Sequence, residues 1–310
     1  MPRAYVFTRN GGPEAEAFAD VPRPVPGPGQ VLIAVRATGV NPADWKRRAG
    51  LRGPGEPEPR FPVVFGREAA GVVAEVGEGV SGFAVGDEVF GHPVGGSYAD
   101  YAVLPADGAA RKPAGVSWAA AATLPVAAAT AYDGIVQLAL PEGATLLVNG
   151  IGGGVGTAAA QIARHRGLRV VGTASAGKKD FVESLGAVHA ESGPGVADRI
   201  RAAAPDGVDA VFDLVGGESL REVAEVLTDR SRLISGADRA VVAELGGAAV
   251  LRERTSAVLE AVAALVAEGA LDPYVTATFP FAEADKALRA VEEGHTRGKI
   301  VLEIDGAGPV

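Results

Sequence analysis

The segment Thr145-Leu-Leu-Val-Asn-Gly-Ile-Gly-Gly-Gly-Val-Gly156 constrains this chain more than any other. An apolar run at 146–148 stops in a cluster of glycines, and an Ala-rich stretch at 157–166 follows with the spacing of a helix. Strand, glycine turn and helix lay a pyrophosphate on a helix N-terminus, where free backbone N–H groups and the helix dipole favour negative charge. A Cβ in such a turn would hold backbone away from phosphate and helix away from strand. Gly150, Gly152, Gly153, Gly154, Val155 and Gly156 are therefore the first candidate cofactor-binding residues.

The flanking pattern agrees with that reading. From 118 onward Ala-rich helical spacing, interrupted at Pro125, gives way to alternating elements. Strands are expected at 145–149, 169–173, 208–215 and 232–235, with helices at 154–166, 178–185, 196–203, 219–227 and 255–268. Such alternation implies an α/β fold, a doubly wound parallel sheet covered on both faces. The chain before 118 is different. β-favouring runs at 31–37, 69–76, 87–90 and 98–104 are cut by Gly and Pro turns at 26–29 and 77–79. The Gly-, Pro- and charge-rich segment 50–62 reads as a mobile loop. After 269 come an extended run at 274–278, a helix at 282–293 and a last strand at 299–304.

The strand at 169–173 runs into Ala174-Ser175-Ala-Gly-Lys178-Lys179, and no Asp or Glu lies between Gly167 and Lys179. An NAD site places an acidic residue here to bond the ribose 2′-OH. Ser175, Lys178 and Lys179 offer a hydroxyl and two cations instead, which suit a 2′-phosphate. NADP(H) is thus favoured over NAD(H); the alternative is that both lysines form a solvated helix start. Two later strands also end in small residues, at Val215-Gly216 and Ser235-Gly236. In a doubly wound sheet ligands bind beyond such carboxyl ends, so these four join the cofactor set.

Composition removes other classes. A formal net charge of −9 argues against a nucleic-acid partner. Zero cysteines excludes disulfides, thiolate metal sites and a cysteine nucleophile, and the four histidines lack metal-ligand spacing. No metal is expected. The longest apolar stretch, 118–131, reads as too short and too weakly apolar to span a bilayer. The start, Met1-Pro-Arg-Ala-Tyr-Val-Phe, reads as a strand and lacks a signal-peptide apolar region. A cytoplasmic protein without membrane or nucleic-acid partners is the expectation.

Several segments together resemble the medium-chain dehydrogenase/reductase superfamily, in its zinc-free quinone oxidoreductase (zeta-crystallin-like) branch. They are Ala37-Thr-Gly-Val-Asn-Pro-Ala-Asp44, Phe65-Gly-Arg-Glu-Ala-Ala-Gly71, Gly77-Glu-Gly-Val-Ser-Gly-Phe-Ala-Val-Gly-Asp87, Gly95-Gly-Ser-Tyr-Ala-Asp-Tyr101, the 150–156 turn and Gly294-His-Thr-Arg-Gly-Lys-Ile-Val301. The resemblance implies a mostly-β GroES-like catalytic domain, 1–117 and 270–310, around a Rossmann NADP(H)-binding domain, 118–269. In zinc-dependent relatives a Cys stands where Asn41 is and a His where Arg67 is, and the structural zinc loop of those relatives is missing here.

The resemblance also assigns roles. Asn41 lies beside the nicotinamide and acceptor, where its amide can donate to a developing oxyanion; the alternative is a turn residue before Pro42. Asp44 positions Asn41 or Lys46, or caps the following helix. Asn41, Asp44 and Lys46 form the candidate catalytic set. Thr130, Gly298 and Lys299 match cofactor-facing positions, and Tyr132 is either cofactor-facing or core. Some quinone reductases of this branch carry tyrosines where Lys46 and Arg52 stand, so these cations imply a more polar mouth or an anionic acceptor. Trp45 supplies a flat surface or packs structurally. The run 248–254 resembles the edge strand through which the family forms homodimers.

With no zinc to ionise an alcohol, hydride delivery to an already electrophilic acceptor is the expected chemistry. The first reading is an NADPH-dependent reductase of quinones acting without metal. The second is an NADPH-dependent reductase of enones, 2-alkenals or enoyl thioesters. A third, of another class, is a non-catalytic NADPH-binding protein in a structural or regulatory role.

Overall fold

A computed structural model describes residues 1–52, 58–294 and 296–305. Its contacts divide the chain into two units: Met1–Val126, Arg254–Ala267 and Val275–Val310 form the first, Ala127–Glu253 and Glu268–Tyr274 the second.

The strands of the first unit are β1 (Arg3–Phe7), β2 (Glu16–Asp20), β3 (Gln30–Val40), β4 (Val63–Val64), β5 (Ala69–Val76), β6 (Glu88–Gly91), β7 (Tyr101–Pro105) and β8 (Ala109–Arg111). After the second unit come β15 (Val275–Pro280) and β16 (Lys299–Glu303). Its helices are α1 (Pro42–Arg48), α2 (Trp118–Ala121), α9 (Ser256–Ala267) and α10 (Ala284–Glu292). One sheet runs β15-β16-β3-β5-β6-β8, with β7 pairing β3 from outside that path, and a small sheet runs β2-β1-β4.

β3 is the spine. Its run Val31-Leu-Ile-Ala-Val is buried throughout, as expected of a strand covered on both faces. It pairs antiparallel with β5, β7 and β16. Phe7, Phe65, Tyr98, Leu288 and Leu302 pack into one core cluster, and burying each such side chain contributes about 1.5–3 kcal/mol. Trp45 packs partly buried against this cluster, which favours its structural reading.

The second unit holds β9 (Thr145–Asn149), β10 (Arg169–Ala174), β11 (Val188–Glu191), β12 (Ala210–Asp213), β13 (Leu233–Ser235) and β14 (Ala248–Ala249). Its helices are α3 (Ala129–Leu138), α4 (Gly154–His165), α5 (Lys179–Ser184), α6 (Val196–Ala203), α7 (Gly217–Ala224) and α8 (Arg239–Glu244). The strands are all parallel in the order β11-β10-β9-β12-β13-β14. Numbered within the unit this is 3-2-1-4-5-6, the Rossmann order.

Several expectations need correction. β11 and α8 were not anticipated. The edge run 248–254 is a strand only at Ala248–Ala249, where it pairs with β13. The units divide at Val126 rather than at 117, and α9 belongs with the first unit, where it packs on β8. Residues 268–274 return to the second unit, held by a reciprocal pair of 2.8 Å hydrogen bonds between the Gln161 amide and the Asp272 backbone.

The helical stretch Trp118–Leu138 is, by length and composition, long and apolar enough to cross a membrane, contrary to expectation, but 72% of its most apolar 18 residues are buried inside the protein. It passes Pro125 through a wide π turn, Leu124–Ala128, because proline removes a ladder donor and crowds the preceding turn. Of the expected mobile loop 50–62, residues 53–57 lie outside the described residues, as does His295.

Candidate functional site

In the second unit β9 ends at Asn149 and the chain turns through Gly150, whose φ of +85° is a left-handed value that suits glycine. Gly153 precedes α4, with Gly154, Val155 and Gly156 in its first turn. The helix therefore starts with uncapped N–H groups, since no side chain caps it. A Cβ on Gly156 would lie 2.5 Å from Gly150 O and 2.6 Å from Ile151 Cα. The helix thus rests directly on the turn, and a side chain at 156 would force them apart. A Cβ on Gly152 would lie 2.7 Å from Lys178 Cδ and 3.4 Å from Lys178 Nζ. The Lys178 ammonium therefore reaches the glycine turn, where an anionic group of a dinucleotide would lie.

Its neighbour behaves differently. The Lys179 side chain is 61% exposed and sits 3.9 Å from Glu183, one turn along α5. Ser175 is exposed at the end of β10 and makes no cap bond. The sequence treated the two lysines alike; the fold aims only Lys178 at the turn. Lys178→Ala is expected to weaken NADPH binding roughly fivefold to tenfold while leaving NADH nearly unchanged, a charge-assisted contact discounted for partial exposure. Lys179→Ala should change neither by as much as about twofold, since exposed i,i+4 pairs contribute little. Fluorescence titration with both nucleotides decides; equal losses for NADPH and NADH in Lys178→Ala would remove the 2′-phosphate role.

The other strand ends converge. Val215 is half exposed beyond β12, and Gly216 follows with a φ of +81°. A Cβ on Gly150 would lie 2.8 Å from Val215 Cγ2, so the two turns touch. Ser235 is buried at the end of β13, and the Gly236 N–H donates to Asp213 O at 2.8 Å. Thr130 is buried on α3, where its hydroxyl accepts from Arg252 Nε at 3.3 Å; Arg252 Nη2 also donates to Gly236 O at 2.9 Å. The sequence reading missed Arg252 as a site residue, having assigned it to an edge strand. Tyr132 lies under the Arg166 guanidinium, 5.4 Å from ring centre to Cζ.

The first unit builds a second cluster from three adjacent strands. β3 delivers the chain to Asn41, the residue before α1, with Pro42 at the first helical position. β16 pairs Ile300 with Val40, which sets Lys299 beside Asn41. β5 pairs Ala70 with Ala37, which brings Glu68 alongside Gly39. Gly39 makes the room, since a Cβ there would lie 2.0 Å from Glu68 Oε1.

The resulting contacts are close. Lys299 Nζ donates to Asn41 Oδ1 at 2.6 Å and Glu68 Oε1 at 2.8 Å. Asn41 Nδ2 donates to the same Glu68 oxygen at 2.8 Å and, more weakly, to Gly39 O at 3.4 Å. The Val126 N–H, released by the π turn at Pro125, donates to Glu68 Oε2 at 2.8 Å. Asn41, Glu68 and Lys299 are 4%, 0% and 4% exposed.

Lys299, which by resemblance matches a cofactor-facing position, donates its ammonium to Asn41 and Glu68, because β16 lies against β3. Gly298 is the left-handed residue (φ +57°) that leads into β16. Glu68 was missed, although a lone acid at the head of the apolar run Ala69-Ala-Gly-Val-Val was the available signal.

Asp44 Oδ2 accepts the Asn41 N–H at 2.8 Å and the Tyr98 hydroxyl at 3.1 Å. Of its three expected roles, capping α1 and fixing Asn41 are met by one bond. Lys46 is not part of the cluster; it is exposed, its ammonium 5.7 Å from the centre of the Trp45 ring. Burial pushes the Asp44 carboxyl up to about 6, against the lowering pull of the Asn41 N–H. Between its unfolded value near 4 and about 6, the folded state holds a proton that the unfolded chain has released. Stability from this group therefore falls as pH rises through that window. Asp44→Asn should flatten the stability–pH curve there; urea unfolding at a series of pH values measures it, and an unchanged slope would refute the assignment.

The residues do not suit zinc. Among the described residues no group of three His, Cys, Asp or Glu side chains is placed to hold a metal ion. Asn41 is committed to Lys299 and Glu68, and Arg67 is itself a cation. The glycine turn and Lys178, by contrast, suit a nicotinamide dinucleotide.

Residues 27–114 match the alcohol dehydrogenase GroES-like domain family, and residues 185–302 match the zinc-binding dehydrogenase family. The chain is 37% identical over 298 residues to polyketide synthase GfsB of Streptomyces halstedii, covering 90% of this chain but only 5% of that one. It is 33% identical over 293 residues to the 2-methylene-furan-3-one reductase of Solanum lycopersicum, covering 88% and 71% of the two. The quinone oxidoreductase from Coxiella burnetii superposes with a TM-score of 0.87 at 29% identity, covering 97% and 99%. Mycobacterial Rv1454c complexed with NADPH superposes with a TM-score of 0.85 at 29% identity, covering 98% and 100%. By its two domain matches, its Rossmann strand order and its 33% identity to a reductase of which it covers 71%, the chain belongs to the medium-chain dehydrogenase/reductase superfamily of nicotinamide-dependent oxidoreductases.

Proposed function

We propose that this chain binds NADPH and reduces a small quinone by hydride transfer, without a metal. The observation that carries the cofactor choice is Lys178, which follows the end of β10, where an NAD site would place an acid, and whose ammonium turns back toward Gly152. When bound, NADPH supplies the hydride.

The chain's own residues bind and orient. The 150–156 turn and the N-terminus of α4 hold the pyrophosphate, and Ser175 with Lys178 holds the 2′-phosphate. Of the two N–H bonds of the Asn41 amide, the one to Glu68 is short and the one to Gly39 O is long. The second is the N–H available to an oxyanion that develops on an acceptor. Lys299 and Glu68 fix the plane of that amide. Asp44 holds the Asn41 backbone.

Enones are the second reading, favoured by the similarity to the tomato 2-methylene-furan-3-one reductase and to a polyketide synthase. Both acceptors take a hydride because the charge spreads onto oxygen. NADPH oxidation with small quinones, 2-alkenals and enoyl thioesters separates the readings. Turnover with quinones at least about tenfold more efficient in kcat/KM, a difference of about 1.4 kcal/mol in transition-state binding, is expected. A reversed order selects the enone reading. Tight NADPH binding with no turnover on any acceptor selects the non-catalytic one.

A further inference from the structure

One buried polar network ties together four strand ends of the second unit. Asp213, 0% exposed at the end of β12, accepts from Asn149 Nδ2 at 2.7 Å and from Ser235 Oγ at 2.6 Å. It also accepts the backbone N–H groups of Val215 and Gly216 at 3.1 Å. Asn149 Oδ1 accepts from Thr173 Oγ1 at 2.5 Å, and Thr173 Oγ1 in turn accepts the Gly150 N–H at 3.0 Å. A carboxylate only accepts, with about four lone-pair sites, and here four donor groups meet it.

The network reaches from the first residue of one glycine turn, Gly150, to the other turn at Val215-Gly216. Breaking it would let the two turns shift independently. A ligand that spans both would lose more than a ligand held at one end.

We infer that Asp213 is a positioning residue for the cofactor: through Asn149 and Thr173 it locks the two glycine turns at the separation that a dinucleotide bridges. This rests on the reading of the 150–156 turn as a dinucleotide site. Buried polar networks rigidify when every member is satisfied, as this one is. Neither Asp213 nor Thr173 needs to touch the ligand. Thr173 is 1% exposed and lies beneath the turn.

The test compares NADPH with 2′,5′-ADP, a fragment whose phosphates reach the Ser175–Lys178 end and the 150–156 turn but which does not extend to the Val215-Gly216 turn. Asp213→Asn exchanges two acceptor sites for N–H groups that face other donors. It should weaken NADPH roughly thirtyfold and 2′,5′-ADP by less than about threefold. Thr173→Val keeps the shape and removes only the hydroxyl, so NADPH should weaken about fivefold to tenfold with the fragment unchanged. Fluorescence titration and competition give the affinities, and the melting temperature reports folding. If Asp213→Asn does not fold, Thr173→Val decides alone. A folded Thr173→Val that binds NADPH as tightly as wild type overturns the inference, and so do equal losses for both ligands. A wild type that binds no NADPH overturns the cofactor reading as well, and the wild-type titration by itself reveals that case.

Discussion

Replacing Gly156 with alanine is expected to weaken NADPH binding by at least about thirtyfold and to lower the melting temperature by about 5 °C. The added methyl carbon would lie 2.5 Å from Gly150 O and 2.6 Å from Ile151 Cα. Both are backbone atoms, so no side-chain rotation relieves the contact. The turn has to open, and overpacking of this kind costs about 1–3 kcal/mol in well-packed sites. Opening also moves the N–H groups of the first helical turn away from the phosphate they would bind.

Gly153→Ala is the matched control. The nearest atom to its Cβ is Gly150 O at 3.7 Å, and its φ of −90° suits any residue. It should melt within about 1 °C of wild type, because it adds no clash with the protein and removes no donor, so it separates loss of the turn's packing from loss of space for the phosphate. Titration and thermal melting of both variants check this. Wild-type affinity in Gly156→Ala would mean that the turn does not hold the cofactor.

The nucleotide-binding half was readable because its signals are local. The 145–149 strand and the 196–203 helix are found at the expected residues, and the glycine turn leads from that strand into α4. β11 was missed because Val188-His-Ala-Glu is short and exposes its valine, leaving no clean apolar alternation. It exists through its pairing with β10, which supplies the ladder that its own side chains do not advertise.

Lys178 and Lys179 show a finer limit. Adjacent residues at a helix start point in different directions, and composition carries no direction. Asp213 shows another: at the end of Ala-Val-Phe-Asp it reads as a turn acid. Its donors come from β9, β13 and the following turn, which only the strand order brings together.

The buried pair Glu68–Lys299 was invisible for the same reason, and it carries the largest stability effect expected here. The two residues are 231 positions apart in sequence. They meet because β16 and β5 flank β3 on opposite sides. Lys299→Met removes the ammonium and leaves a fully buried carboxylate that keeps, among the described residues, the Asn41 amide and the Val126 N–H as neutral donors. Removing one partner of a buried pair costs about 3–5 kcal/mol, because the remaining charge cannot reach water.

Glu68→Gln alone strands the ammonium in turn. In Lys299→Met with Glu68→Gln no buried charge remains, so the double variant should be more stable than the sum of the single losses by at least about 1 kcal/mol. Urea unfolding measures all three. NADPH affinity separates this placement from the expected cofactor contact. With its ammonium held by Asn41, Glu68 and, at 3.4 Å, Val40 O, Lys299 should leave NADPH affinity within about twofold of wild type when replaced in a folded variant, since its three donors are turned toward the protein. Hydride transfer should suffer instead, because Asn41 Oδ1 loses the donor that fixes its plane and the amide can rotate. A folded Lys299→Met with weakened NADPH binding and unchanged kcat would return this lysine to the cofactor. A stability loss below about 1 kcal/mol, the level of an exposed pair, would mean that the ion pair is not buried as described.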